Sequence, residues 1–172
     1  MIVLVTGLMR TGTSLVAKQL HELGIPMGTV MRFPLLRENA QLDWEDADFT
    51  DKCLATLKGD IRKARLRVFF NSYLRRRSGE VWGVKSPFLY PYVELFKTEA
   101  ASLGKTVKVV MTTRPVHATF ESIRNQTTSD EPIQIQRILM TYPIPEADLI
   151  IPIEESWNSP DSVKKKLNEL RS

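Results

Sequence analysis

Cysteine occurs once in the 172 residues, as Cys53, and histidine twice, as His21 and His117. A lone thiol leaves no internal disulfide to form and no cysteine-based metal cluster, so packing alone must hold the fold, which suits a reducing compartment. Two histidines argue against a zinc site, and no metal is expected. Long apolar runs are missing too, since none approaches the roughly 20 residues of a spanning helix. The chain opens on MIVLVTG with neither a basic leader nor a cleavage-like site. The expectation is a soluble, cytoplasmic protein with no membrane partner.

The 42% hydrophobic and 26% charged residues suffice for one compact domain over residues 1–172. Lys and Arg number 24 against 20 Asp and Glu, for a net charge of +4, so an anionic ligand is favoured. Much of the excess lies in Arg62, Lys63, Arg65 and Arg67 and in Arg75, Arg76 and Arg77. Few aromatics interleave with these arginines, so they read as a solvated helical face, and a nucleic-acid partner is disfavoured.

No repeat or low-complexity stretch interrupts the chain, and the hydrophobic period alternates along it. Ile2 to Thr6 reads as a strand buried on both faces. From Thr13 the spacing of Leu15, Val16, Gln19, Leu20 and Leu23 is helical and stops at Gly24. Residues 25–44 are irregular. Helices are expected from Asp46 to Leu57 and, after Gly59, as far as Arg77, then a short strand from Val81 to Lys85 and a helix from Tyr90 to Leu103. Thr106 to Thr113 is a second buried strand, and Arg114-Pro115 opens another helix. A helix from Ile133 to Met140, a strand from Leu149 to Ile153 and a terminal helix capped at Ser159-Pro160 complete the reading. Strands separated by helices imply a parallel sheet that binds ligands at its carboxyl edge.

The turn Gly7-Leu8-Met9-Arg10-Thr11-Gly12-Thr13-Ser14 has the spacing of a P-loop with threonine in place of the lysine. Unpaired amides at a helix start and around the glycines make an anion nest. The fold expected is therefore α/β, a three-layer P-loop-type fold with a parallel sheet flanked by helices. Transfer of a nucleotide phosphate asks for the missing lysine and for an acid on a neighbouring strand to hold magnesium. Here TVKVVMTT ends in threonines and VWGVK in lysine. A cation stands inside the loop instead, at Arg10, where a forked guanidinium could stabilise charge on a transferring group.

At these residues the sequence resembles a family. VTGLMRTGTSLVAKQL is similar to the 5′-phosphosulfate loop of sulfotransferases that use 3′-phosphoadenosine 5′-phosphosulfate (PAPS). KVVMTTRPVHATFESIRNQ places Arg114 and Ser122 eight apart after a buried strand, as in that family's 3′-phosphate motif, and WGVKSP resembles its lysine-bearing strand end. ENAQLDWEDADF and LIIPIEESWNSPDSV agree more weakly, so the resemblance spans nearly the whole chain.

The resemblance implies that Thr11, Gly12, Thr13 and Ser14 hold the 5′-phosphosulfate. Arg10 and Lys85 would contact the sulfuryl group, and Arg114 and Ser122 the 3′-phosphate, with PAP as product. Some members carry a histidine base two residues after the lysine, where this chain has Pro87. A carboxylate must then activate the acceptor, with Glu45 the first candidate and Asp46 and Glu38 behind it. The acceptor, whether small molecule, carbohydrate or peptide, is not written in any motif. Two alternatives stand beside sulfuryl transfer: a divergent P-loop kinase acting on a nucleotide or small molecule, and a non-catalytic nucleotide-binding protein.

Overall fold

The structure is a computed structural model that describes residues 1–27, 46–77 and 79–170. Four strands, β1 (Ile2–Gly7), β2 (Trp82–Lys85), β3 (Val107–Thr113) and β4 (Leu149–Pro152), form one parallel sheet in the order β2-β1-β3-β4. The helices are α1 (Thr13–Glu22), α2 (Ala47–Leu57), α3 (Lys63–Arg76), α4 (Val93–Ser102), α5 (Val116–Arg124), α6 (Glu131–Met140), α7 (Ile153–Asn158) and α8 (Pro160–Glu169).

β1 is central and buried along its whole length, as its run of β-branched residues requires. Its side chains alternate between two apolar layers. Ile2 and Leu4 join Trp82, Val84, Val109 and Met111 against α2, α3, α4 and α6. Val3 and Val5 join Val110 and Ile151 against α1 and α8. The result is the three-layer α/β arrangement with helices on both faces.

The first of these layers is built on aromatic rings. Phe49 of α2 lies 5.4 Å from Phe70, 4.9 Å from Tyr73 and 5.7 Å from Phe96, ring centre to ring centre. Asp46 caps α2 by accepting from Phe49 N at 3.3 Å, and it pairs with Arg77, whose guanidinium lies over the Tyr73 and Trp82 rings. Arg67 and Asn71 of α3 reach Glu99 of α4 at 2.6 and 3.1 Å. Part of the arginine-rich helix thus ties neighbouring helices together, while Arg62, Arg65 and Arg76 are exposed.

Three differences from the sequence expectation bear on the elements near the strand ends. The helix expected from Tyr90 begins at Val93, because Pro87 and Pro91 hold Pro87–Tyr92 as a 3₁₀ turn. The last strand stops at Pro152, which has no amide to donate, and Ile153 opens the short α7. Ser159 precedes α8, but its side chain makes no capping bond; Val163 N reaches its carbonyl at 3.2 Å.

Candidate functional site

The site is assembled where β1 and β3 end side by side. Gly7 lies opposite Thr112 in the register, and a Cβ on it would stand 2.5 Å from the Thr112 carbonyl oxygen and 2.8 Å from Thr11 Oγ1. Only glycine allows the turn to leave the strand so close to its neighbour. Thr11, itself buried, joins Oγ1 to the Thr112 hydroxyl at 2.7 Å and donates to Leu8 O at 2.6 Å. The turn is therefore closed on itself and pinned to β3.

Gly12 then starts α1 in the left-handed region, at φ 92, and no side chain caps the helix among the described residues. Leu15 and Val16 donate to Gly12 O at 3.0 and 3.2 Å. The amides of Thr13 and Ser14 lead the helix, where no intrahelical carbonyl can meet them. Uncapped amides and the positive end of the helix make this point attractive to an oxyanion.

Arg10 is the one non-glycine residue with positive φ among the described residues, at φ 64. Its Nε donates to Ser122 Oγ of α5 at 3.1 Å, and its carbonyl accepts from Arg114 Nη1 at 3.3 Å. The structure thus joins Arg10 to two residues that lie more than 100 positions away in the sequence. Arg114 also lies 5.6 Å over the ring of Trp157 on α7, a residue 58% exposed. The indole face adds a flat, solvent-facing surface beside the two guanidinium groups.

A fourth contact comes from α6. Gln136 is completely buried, accepts from Met9 N at 3.0 Å through Oε1, and donates to Thr119 Oγ1 at 3.3 Å through Nε2. Thr119 in turn donates to Val116 O at 2.6 Å. A single buried amide therefore sets the spacing between the turn after β1 and the helix that carries Ser122.

Lys85 ends β2 opposite Val5 and is only 3% exposed, on the sheet face that α1 covers. Ser86 follows, donating its amide to Val5 O at 3.2 Å and accepting from Thr6 Oγ1 at 3.1 Å through its carbonyl. In the turn beyond, burial raises the Tyr90 and Tyr92 phenols, so both remain protonated at neutral pH and neither is a base.

Of the carboxylates considered as base, Glu45 and Glu38 lie outside the described residues. Asp46 is occupied as helix cap and ion-pair partner of Arg77. His21 and His117 are exposed and Cys53 is buried. Thr112, Gln136 and Trp157 were not singled out from the sequence. Gln136 gives no signal there, because a glutamine between Ile135 and Leu139 reads as a surface residue of an amphipathic helix.

Among the described residues no helix is long and apolar enough to cross a membrane. No family model matches the chain, and no curated protein matches it. A solved structure does: an unliganded sugar kinase from Janibacter sp. HTCC2649, 14% identical, aligned over 96% of this chain and 90% of its own with a TM-score of 0.60. At that identity the likeness is one of fold alone, a parallel sheet flanked by helices on both faces.

Proposed function

We propose that this chain is a nucleotide-dependent transferase that moves a sulfuryl group from PAPS to a hydroxyl or amine acceptor. One observation carries the reading: Arg10, Arg114 and Ser122 meet at a turn of P-loop spacing whose lysine position is Thr13. Two guanidinium groups and a helix start favour a ligand with anionic groups at both ends of a nucleoside. PAPS supplies an activated sulfuryl group between a phosphate and an incoming oxygen.

In that reading the amides of Gly12, Thr13 and Ser14 hold the 5′-phosphate, and Arg114 with Ser122 holds the 3′-phosphate. Arg10 and Lys85 offset the charge that grows on the bridging oxygen as its bond to sulfur breaks and the acceptor's oxygen or nitrogen bonds to sulfur. PAP leaves, and the acceptor's proton passes to a carboxylate, for which Glu45 is the candidate. Binding of the 5′ group at α1 needs no change in the pinned turn, which is preorganised by Thr11 and Gln136.

The likeness to a sugar kinase favours a second reading, phosphoryl transfer from ATP to a small polyol. Against it stand Thr13 in the lysine position and the absence of an acid at the ends of β2 and β3. A calorimetric and thermal-shift titration with PAP, ADP and ATP-magnesium separates the two. At one hundred times its dissociation constant a ligand stabilises by about 2.7 kcal/mol. Stabilisation by PAP above ADP supports the sulfuryl reading, and a preference for ATP-magnesium replaces it with the kinase.

A further inference from the structure

A cavity of about 200 Å³ opens between α2 and α3, lined by Lys52, Ile61, Arg65, Leu66 and Phe69. Its floor is apolar and firmly placed. Leu66 is buried, and the Phe69 ring lies 6.1 Å from Phe49, 6.2 Å from Phe70 and 5.7 Å from Tyr73. Its rim is cationic. Lys58, Arg67 and Arg77 on the same two helices and their flanks pair with Glu131, Glu99 and Asp46. Lys52 and Arg65 have no acidic partner among the described residues.

One end of the helix pair that holds the cavity is tied to α6, the helix that braces the turn after β1. Asp46 and Arg77 mark the opposite end, beside Trp82, which pairs with Ile2 at the start of β1. At the near end Lys58 pairs with Glu131, which opens α6, the helix whose Gln136 holds Met9. Leu8 and Met9 of the turn pack on the same apolar cluster as Leu54 and Phe69. The Ile61 side of the cavity, next to Lys58, is therefore the side toward the carboxyl edge of the sheet.

We infer that this cavity binds a small amphipathic anion, an apolar body of one ring or about six carbons ending in a carboxylate or similar group, and that it receives the anionic end of the acceptor. The acceptor role rests on the transferase reading; the binding does not. Size follows from the volume, because a cavity of about 150 Å³ holds benzene. Charge follows from the rim. Long cationic side chains ordinarily lay their stems along such apolar surface, yet here the space between them stays open, so an apolar body can fill it while its acid meets both cations.

The test titrates the full chain, without nucleotide, with 3-phenylpropionate and with its neutral counterpart 3-phenylpropanol. The acid is expected to bind at least about tenfold more tightly, and Lys52→Met and Arg65→Met, which keep the stems, are expected to erase that difference without lowering the melting temperature. Equal binding of acid and alcohol, no binding of either, or an unchanged preference in both variants overturns the site. The acceptor role is tested by turnover of 6-hydroxyhexanoate against 1,6-hexanediol, with PAPS and with ATP-magnesium. Preference for the hydroxy acid that disappears in the two variants supports it. Turnover of neither compound, or of both equally, overturns the acceptor role whatever the binding shows, and a failed nucleotide titration leaves the binding result intact.

Discussion

At the carboxyl edge of the sheet the turn after β1 is held by directional bonds: Thr11 to Thr112, Gln136 to Met9, Arg114 to the Arg10 carbonyl, and Arg10 to Ser122. On the flank formed by α2, α3 and α4 the rings of Phe69, Phe70, Tyr73 and Phe96 each lie within about 6 Å of the Phe49 ring. The two regions do different work. Ring packing removes apolar area from water and sets stability without fixing any one atom closely, whereas hydrogen bonds to backbone add little net stability but fix where an amide points. Stability and ligand affinity are therefore expected to separate under mutation.

The largest effect should come from Phe49→Ala, which empties the centre of the aromatic layer and costs about 3–5 kcal/mol in denaturant unfolding. Affinity for PAP, measured well below the melting transition, should change little. An equal loss of affinity would mean that the flank and the turn form one unit, and the comparison would collapse.

Arg114→Ala reverses the pattern. A charge-assisted bond is worth about 1.5–3 kcal/mol, so PAP binding should weaken by about 10- to 100-fold while ADP binding and unfolding barely move. An unchanged ratio of PAP to ADP affinity would show that Arg114 serves only the Arg10 carbonyl and Trp157. Arg10→Ala should abolish transfer and leave PAP binding measurable, because its proposed part is played on the reacting group.

Gln136→Leu joins the two regions, since it removes the acceptor of the half-buried Met9 amide in the turn while keeping an apolar helix face. About 1–3 kcal/mol of stability should be lost, with faster amide exchange at Met9 than at Val109 in the sheet. Unaltered exchange at Met9 would mean that Thr11 and Arg114 suffice to hold the turn.

What could be read from the sequence follows the same division. Strand β1, its glycine turn and α1 were legible because local rules dictate them: a β-branched run, two glycines, a helical period. Arg10, Arg114 and Ser122 were legible as a spacing, and the meeting of Arg10 with Ser122 was not, because a 112-residue separation leaves no local trace. Gln136 and the Asp46–Arg77 pair were hidden for the same reason, as was the end of β4 at Pro152, where the missing amide outweighs the apolar pattern of LIIPI. Residue types announce chemistry, and the partners that aim them are a property of the fold.

The smallest expected effect lies on the flank, at its one buried carboxylate among the described residues, Glu99. A hydrogen bond from Asn71, with the bond and charge of Arg67 added, holds its carboxyl below the ordinary value against the opposing effect of burial. A group whose folded value is depressed adds stability above its unfolded value, about 4.3 for glutamate, and loses it as the pH falls from there through the folded value. Glu99→Gln should therefore lower stability at pH 7 and flatten that part of the acid limb. Arg67 is 63% exposed, so the loss should stay below about 1 kcal/mol. Guanidinium midpoints at pH 7 and pH 3 for both proteins measure it. A variant that keeps the parent's full acid dependence would move the titrating group away from the α3–α4 contact, and would leave the aromatic rings as the sole strong tie on that side of the sheet.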